Sequence, residues 1–213
     1  MKSLLDRLIF QLDTLIPFIA ISYSDVFDLI QREKIIWFPG DQEKLPKTYE
    51  IYRKQINHSA FILGYSYFEA FLNDLAKEIF LSRPNMLASN KTIKFEDVTN
   101  SSSYDEIILK LINKELLELF YKNMEDIIDY FFQKFNLTFL KNEKEKLIES
   151  SLLRNCIIHN LGVADVRLSM LADYTEGKEF EISASKVHDF GIIARTLARR
   201  IYQKALDKHI NNA

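Results

Sequence analysis

Apolar residues recur every three or four positions along most of this chain, which is the spacing of one face of an α-helix. The first such stretch spans roughly residues 4–34, with a bend near Pro17 and a break expected within residues 17–24. The next spans residues 46–82 and contains no strong helix breaker except Gly64. Its length makes it the spine of the predicted fold.

The pattern changes after this spine helix. Residues 83–103 are polar and irregular, and they predict an extended surface loop. Ser103 followed three residues later by Glu106 forms a capping box, which predicts the start of a helix. Helical spacing then fills residues 107–135 as two helices and residues 141–160 as a third.

The last quarter of the chain contains one interruption of the helical pattern. Gly162 stands where a glycine commonly terminates a helix. Residues 175–178 predict a turn, and the alternation of apolar and polar residues over 180–183 predicts a short strand or extended segment. Ser185 then caps a last helix that reaches about Lys208. Together the elements predict an all-α helical bundle with a long spine helix and a small extended, β-like insertion before the last helix.

Composition supports this architecture. The chain has 213 residues with 5 Gly and 4 Pro, too few turn-forming residues for a β-sandwich or barrel. We expect one domain over residues 1–213, consisting of an N-terminal helical extension (1–45) and a core (46–210). The single cysteine, Cys156, excludes an internal disulfide and is typical of a reducing cytoplasm. No apolar run approaches the ~20 residues of a membrane span. We therefore expect a cytoplasmic protein without a membrane partner.

Charge and motif content exclude several function classes. The formal net charge is −2, so an anionic partner must be bound by a local patch and not by a global basic field. The sequence has no glycine-rich phosphate loop, no paired cysteines and no His-x-x-x-His or Glu-x-x-His spacing. We therefore expect no metal and no cofactor.

One short polar cluster remains, in the run RNCIIHN at residues 154–160. Successive residues of an α-helix are rotated by about 100°. Asn155 and His159 therefore lie on nearly the same face, whereas Arg154 and His159 differ by about 140° and flank a groove. The opposite side of this helix end is apolar and is predicted to be buried; it comprises Leu152, Leu153, Cys156 and Ile157.

A second polar feature lies in the spine helix. Glu69 stands in the almost wholly apolar run AFILGYSYFEAFL, with Tyr65 one turn before it and Asn73 one turn after it. A buried carboxylate without a partner would cost several kcal/mol. We therefore expect a cationic or hydrogen-bonding partner for Glu69, with Arg154 and His159 as the candidates.

The run RNCIIHN resembles the R-x4-6-H signature of the HEPN superfamily (higher eukaryotes and prokaryotes nucleotide-binding domain), in which a polar residue such as Asn155 directly follows the arginine. The all-helical context, the run GYSYFEAFLNDL with its Glu69, and the late extended segment before a long final helix resemble the prokaryotic, RNase-like branch. The resemblance covers roughly residues 47–210 in pattern, but only six or seven positions are specific.

This resemblance implies a metal-independent endoribonuclease that cleaves RNA through attack by its 2′-OH. Such a protein would act as a toxin or as an antiphage or abortive-infection effector, with an antitoxin or regulatory protein as a further partner. It implies catalytic roles for Arg154, His159, Asn155 and Glu69, and a homodimer in which two motifs share one composite site. The alternative is a HEPN-like dimeric module without catalytic activity that binds RNA, a nucleotide or a protein partner.

RNA binding requires positive charge, which the last helix supplies. Arg195, Arg199, Lys204 and Lys208 recur at four- or five-residue steps and predict a stripe that follows a phosphate backbone, with Asn160 as a further RNA contact. The alternative interpretation of the stripe is a solvated helix face.

Structural interpretations of the single residues also stay open. His159 is a histidine at a helix end, where its charge is favourable to the helix dipole. Glu69 alternatively forms a salt bridge with Arg154 without taking part in catalysis. Cys156 is predicted to be a small buried apolar residue and not a nucleophile. His58, His188 and His209 are predicted to be ordinary surface or core residues.

Overall fold

The computed structural model describes residues 3–23, 45–87 and 92–211. Within these residues the secondary structure is helical and contains no β-sheet, which confirms the predicted all-α class. The helices are, in chain order, α1 (Leu4–Tyr23), α2 (Leu45–Ser82), α3 (Phe95–Thr99), α4 (Tyr104–Phe120), α5 (Met124–Phe135), α6 (Lys141–His159), α7 (Val166–Leu171) and α8 (Ala184–Ala205). A 3-10 turn at Pro84–Met86 follows α2, and a π-helical turn at Leu206–Ile210 extends α8.

Of the two long helices predicted in the N-terminal half, the second is confirmed and the first is described only in part. The spine helix is α2, with bounds within one residue of those predicted. Helix α1 continues through Pro17 to Tyr23, so the predicted break inside it does not occur at the proline. The rest of the predicted first helix, over residues 24–34, lies outside the described residues.

Capping signals in the sequence predicted two helix starts, one of them correctly. The hydroxyl of Ser103 caps α4 by accepting from the backbone N–H of Glu106 at 3.2 Å, as predicted. The carboxylate of Glu106 returns to the backbone N–H and hydroxyl of Ser102, at 2.7 and 2.8 Å, and not to Ser103 itself. The cap of α8 is Ser183, which accepts from the N–H of Lys186 at 3.1 Å, so the assignment to Ser185 was wrong by two residues.

One of the two predictions of irregular structure needed correction. The segment over residues 83–103 is not wholly irregular, because it contains the 3-10 turn and the short helix α3. The extended insertion before α8 is present, but it forms a single antiparallel bridge between Val163 and Glu179 and not a strand. The bridge at Val163 does not continue into a β-ladder, because the chain enters helix α7 only three residues later.

The chain forms two compact units. Unit I comprises Met1–Asp6, Phe68–Ser151 and Thr196–Ala213, and unit II comprises Arg7–Tyr67 and Leu152–Arg195. Residues of α1, α2, α6 and α8 contribute to both units. The prediction of one domain over the whole chain stays a prediction.

Aromatic packing forms the core of unit I. Phe135 is completely buried at the end of α5 and meets Phe80 and Phe131 edge-on, with ring centroids 5.2 Å away in each case. Such edge-to-face pairs contribute about 0.5–1.5 kcal/mol beyond the burial of their area. Arg200 adds polar contacts, because it forms an ion pair with Glu143 and donates to the carbonyl of Thr138 at 2.8 Å.

Close helix packing forms the core of unit II. Phe190 of α8 contacts Phe61 and Tyr65 of α2, at centroid distances of 5.6 and 6.1 Å. A Cβ atom on Gly64 would lie only 2.9 Å from a methyl carbon of Leu15 on α1. The one helix-breaking residue of the spine therefore permits α1 and α2 to approach closely. Helix α1 contributes an apolar stripe to this unit at Leu8, Leu12, Leu15 and Ile19.

Candidate active site at the end of helix α6

Of the four apolar residues predicted to be buried at the end of α6, the structure buries two. Leu153 and Cys156 are completely buried, whereas Arg154, Asn155 and the flanking residues Leu152 and Ile157 are half-buried. Burial raises the pKa of the Cys156 thiol, which keeps it protonated at neutral pH. Cys156 is therefore an apolar anchor of the helix, as predicted, and is not a candidate nucleophile.

The guanidinium group of Arg154 is held by two contacts within unit II. Its carbon Cζ lies 6.0 Å from the ring centroid of Tyr65, at the outer limit of a cation–π contact. Its Nη1 donates to Oδ1 of Asn155 at 3.0 Å. The Nε atom is buried and has no hydrogen-bond partner among the described residues. The amide oxygen of Asn155 therefore helps to orient the arginine side chain.

The side chains of His159 and Asn160 are exposed to solvent at the end of the helix. Neither side chain makes a hydrogen bond or ion pair with the described residues. An imidazole that no protein group engages is available to a ligand or to a second protein chain. Of the predicted motif, the structure therefore brings Arg154 and Asn155 together and presents His159 and Asn160 to solvent.

The chain leaves α6 through two successive residues with left-handed backbone conformation. Leu161 has φ 55° and Gly162 has φ 79°. The N–H groups of Asn160 and Gly162 both donate to the carbonyl of Cys156, each at 3.0 Å. The left-handed conformation costs a non-glycine residue roughly 1–2 kcal/mol, and leucine has no polar group to offset it. Leu161 is nevertheless 85% exposed.

A buried histidine lies behind this turn. His58 of α2 is 4% exposed, and a Cβ atom on Gly162 would lie 3.2 Å from its Cε1. The ring of Phe180 lies beside the imidazole, with ring centroids 6.1 Å apart. Burial lowers the pKa of His58, and the positive charge of Lys54 lowers it further, whereas Glu181, the backbone of Phe180 and Glu179 act in the opposite direction. The ring is therefore neutral at neutral pH.

Two contacts give the direction in which α2 passes the motif. His58 meets the turn at Gly162, and Tyr65, seven residues later on α2, meets Arg154, eight residues earlier than Gly162. The two segments therefore run antiparallel within unit II. His58 is a buried core residue, which is one of the two positions predicted for it. The seven-residue spacing of His58 and Tyr65 places both on one face of a helix and is the signal that could have identified their contacts with this segment.

The predicted contact of Glu69 with the motif stays a prediction. Glu69 is half-buried and belongs to unit I, whereas Arg154 and His159 belong to unit II. Glu69 takes part in a polar or electrostatic interaction within the protein.

The basic stripe of the last helix is not uniform. Arg195 forms an ion pair with Asp13 of α1, and Nζ of Lys208 donates to the carbonyl of Asn136 at 3.1 Å. Arg199 is exposed and Lys204 half-exposed, and neither forms an ion pair or hydrogen bond with the described part of the chain. Two of the four predicted RNA-binding cations are therefore engaged within the protein.

No known family model, curated protein or solved structure matches this chain. Membership of the HEPN superfamily therefore stays a prediction. Over residues 3–23, 45–87 and 92–211, no group of histidine, cysteine and acidic side chains is arranged to hold a metal ion. Among the helices described, none combines the length and apolar character that crossing a membrane requires.

Proposed function

We propose that this protein is a metal-independent endoribonuclease whose motif at residues 154–160 supplies half of a site shared by two copies. The observation that carries the proposal is the contrast within one helix end. Arg154 is oriented by Asn155 and Tyr65, while the side chain of His159, one turn later, is exposed and makes no hydrogen bond or ion pair with the described residues. A fixed cation beside an accessible proton-transfer group suits the cleavage of a phosphodiester.

RNA supplies the nucleophile of this reaction. The 2′-OH loses a proton to a base, its oxygen attacks the adjacent phosphorus, and the 5′-oxygen leaves with a proton from an acid. The products are a 2′,3′-cyclic phosphate and a 5′-hydroxyl. His159 is the proton-transfer group, a role that contributes typically about 10²–10⁴-fold to the rate. Arg154 stabilises the charge that develops on the phosphoryl oxygens.

The other predicted residues have supporting roles in this proposal. Asn155 holds the guanidinium group through its Oδ1, 3.0 Å from Nη1. Asn160 is exposed beside His159 and contacts the substrate phosphate or ribose. Glu69 holds Arg154 or His159, as the resemblance to HEPN proteins implies. Arg199 and Lys204 bind more distant phosphates.

One histidine cannot serve at the same time as the base and the acid, so a second copy of the chain completes the site. Exposed apolar side chains on and directly after the motif support this dimer: Ile158, Leu161, Val166, Met170 and Leu171. Leu161 is the most informative of them, because an 85% exposed leucine in a strained conformation stabilises nothing in its own protomer. A partner copy would bury it.

A second function is a dimeric module that binds RNA, a nucleotide or a protein partner without cutting. The net charge of −2 and the engagement of Arg195 and Lys208 within the protein favour this alternative, because both reduce the charge available for RNA. In either case the protein would act in the cytoplasm, as a toxin or defence effector controlled by an antitoxin or regulatory protein.

The decisive experiment incubates the purified protein with a labelled single-stranded RNA in EDTA. We expect cleavage to a 2′,3′-cyclic phosphate by the wild type, and loss of cleavage in His159→Ala and Arg154→Ala. The matched control is His188→Ala, which removes another exposed histidine of unit II and should cut like the wild type. Glu69→Gln tests the predicted role of the carboxylate in the same assay.

An oligonucleotide of the same base sequence that lacks the 2′-OH at every position distinguishes the proposed mechanism from mechanisms that do not use this hydroxyl. This substrate should stay intact. Cleavage of the deoxy substrate, or equal activity of wild type and His159→Ala, would contradict the proposal. Retention of RNA binding without any cleavage would instead favour the second function.

Mixing experiments test the shared site. If both histidines of a dimer are needed, a nine-fold excess of His159→Ala subunits leaves only about one wild-type subunit in ten with a wild-type partner. Activity per wild-type subunit should fall about ten-fold after subunit exchange. An unchanged activity per wild-type subunit would contradict the composite site. Sedimentation of the wild type as a 25.1 kDa monomer would contradict it as well.

A further inference from the structure

Two aromatic side chains of unit I are almost fully exposed. Phe95 is the first residue of α3 and is 81% exposed, and Tyr121 directly follows the last residue of α4 and is 91% exposed. Leu117, one turn before Tyr121, is 71% exposed. Neither aromatic side chain makes a ring contact, a hydrogen bond or an ion pair with the described residues. These three side chains therefore contribute little to the stability of unit I.

The segment that contains α3 lies along one side of α4. Nζ of Lys114 lies 3.4 Å from the carbonyl oxygen of Thr92, and Nζ of Lys110 donates to the hydroxyl of Ser101 at 2.9 Å. The earlier residue of the segment thus meets the later residue of α4, so the two run antiparallel. Phe95 follows Thr92 by three residues, which places α3 beside the turn of α4 between Lys110 and Lys114.

Tyr121 extends the same side of α4. It is the C-cap residue and keeps a helical backbone conformation, with φ −82° and ψ −12°. Seven helical steps separate it from Lys114, which brings the two side chains within about 20° of one direction and about 10 Å apart along the axis. Leu117 lies between them. We call the surface formed by Phe95, Leu117 and Tyr121 the aromatic surface.

Three exposed lysines accompany the aromatic surface: Lys94, Lys114 and Lys122. Lys94 directly precedes Phe95 in sequence, and Lys122 directly follows Tyr121. Neither Lys94 nor Lys122 forms a hydrogen bond or an ion pair through its side chain with the part of the chain that the structure describes. Each exposed ring therefore has a cation next to it in sequence that no protein group engages.

Acidic residues keep the aromatic surface from being strongly basic. Glu96 and Asp97 follow Phe95 in sequence, and Glu118 follows Leu117. Glu118 takes part in a polar or electrostatic interaction within the protein. Three lysines against three carboxylates give this surface little net attraction for an anion. A ligand of the aromatic surface would therefore be bound mainly by the rings, with the lysines beside them as secondary contacts.

Exposed rings with adjacent cations suit single-stranded RNA. Each unpaired base has a flat face that stacks on an aromatic ring whatever its sequence, and a lysine beside the ring can contact the neighbouring phosphate. A protein partner fits less well, because the core of a protein interface is depleted of charged residues. Here charged residues directly flank Phe95, Leu117 and Tyr121 along the chain.

We propose that the aromatic surface binds single-stranded RNA: bases stack on Phe95 and Tyr121, and the three lysines contact the adjoining phosphates. This assigns unit I an RNA contact beyond the motif at residues 154–160 and the last helix. That the natural strand is RNA rests on the proposed function. The binding itself requires no cleavage and can be measured in a protein without activity.

The experiment measures the Kd for a labelled single-stranded RNA of about a dozen nucleotides by fluorescence anisotropy. EDTA and a His159→Ala background keep the RNA intact. Phe95→Leu and Tyr121→Leu keep an apolar side chain but remove the ring, and each should raise Kd by about 5- to 100-fold. Phe95→Tyr and Tyr121→Phe keep the ring and should bind like the parent. All four variants should unfold at the parent temperature, because both positions are exposed.

The chain contains a matched control in the same unit. Phe132 of α5 is also an exposed aromatic residue, but Asp129, three residues earlier, is paired with Lys144 at 3.0 Å. Phe132→Leu should leave Kd unchanged. A strand with the same sugar–phosphate backbone but without bases provides the second control. It should bind equally to the parent and to Tyr121→Leu, because only bases stack on the ring.

Several outcomes would overturn the inference. These are a parent that binds no RNA, equal Kd values for the parent and both leucine variants, and equal weakening by Phe132→Leu. Unchanged RNA binding together with weaker self-association of Tyr121→Leu in sedimentation would assign the surface to a protein contact and overturn it as well. If the wild type cuts no RNA but binding depends on the two rings, the proposed function fails and this inference stands.

Discussion

The ends of α5 and α6 have the same backbone closure and opposite surroundings. Each end contains a residue other than glycine with left-handed φ, at Asn136 (52°) and Leu161 (55°). Each is closed by a backbone bond that spans six residues, from Leu137 to Phe131 at 3.2 Å and from Gly162 to Cys156 at 3.0 Å. The local conformation alone therefore does not distinguish the two ends.

The surroundings distinguish them. At the end of α5, His209 bonds to the carbonyl of Phe135 at 2.7 Å, Lys208 donates to that of Asn136 at 3.1 Å, and the next residue, Leu137, is completely buried. At the end of α6, the side chains of His159, Asn160 and Leu161 are all exposed. The first helix end is covered by other residues of its own unit, and these three side chains at the second face solvent. That difference is the reason for assigning function to the second.

The largest effects are expected from replacing the histidine at each of these two helix ends by alanine. His159→Ala should lower RNA cleavage by about 10²–10⁴-fold and change the free energy of unfolding by less than about 0.5 kcal/mol, because the side chain is exposed. His209→Ala should lower the unfolding free energy by about 2–3 kcal/mol, through lost packing and an unpaired carbonyl, with normal cleavage. Cleavage kinetics and urea denaturation measure the two quantities.

The next effect comes from exchanging the left-handed residues. Leu161→Asn should stabilise the protomer by up to about 1 kcal/mol, because asparagine tolerates this conformation better and an exposed leucine loses little. The same change should weaken self-association, measured by sedimentation at several concentrations. Asn136→Leu should destabilise by about 1 kcal/mol without affecting association. A dimer unaffected by Leu161→Asn would remove the argument that a partner covers this residue.

The contribution of the buried His58 to the free energy of unfolding should depend on pH. The folded state lowers the pKa of His58, so below about pH 6.5 the unfolded chain takes up a proton that the native chain does not. The contribution of His58 to the unfolding free energy is therefore complete above pH 6.5 and decreases as the pH falls from there toward the lower native pKa. Chemical denaturation between pH 7.5 and 5.5 should show a smaller decrease for His58→Asn than for the wild type.

Between pH 7.5 and 5.5, the titration of Glu106 does not contribute to the change in unfolding free energy. Hydrogen bonds from the backbone and hydroxyl of Ser102 lower the pKa of Glu106 to about 2. The stabilising effect of Glu106 is present above its unfolded pKa near 4.5 and is lost only as the pH falls toward 2. A decrease of equal size in wild type and His58→Asn would contradict the assignment to His58.

The smallest effects are expected in the last helix. Arg199→Ala and Lys204→Ala should each raise the KM for RNA about two- to three-fold and reduce the salt dependence of binding by about one phosphate contact. Lys208→Ala should change KM less, because its Nζ already donates to the carbonyl of Asn136. Equal effects of all three on KM would support the stripe as first predicted, and no effect of any would support a solvated helix face.

The sequence by itself was sufficient for the long helices, because their determinants are local, but it did not predict the short helices α3 and α7. The three- and four-residue apolar spacing predicted α2 and α6 closely, and the pair Ser103 and Glu106 marked the start of α4. The motif at residues 154–160 was also visible, because all of its members lie within two turns of one helix. Short-range error arose where two signals competed, as with Ser183 and Ser185 at the start of α8.

Only the tertiary structure decided which of these side chains are engaged and which are available. The partner of Lys208 is 72 residues away in sequence, and Lys54 and Glu179 are separated by 125. His58 lies more than 100 residues before the turn that it contacts. No periodicity links such positions, because contacts between distant segments depend on how the helices pack. The sequence therefore located the candidate motif, and the packing of α2 and the turn after α6 determined that His159 stands open while His58 is enclosed.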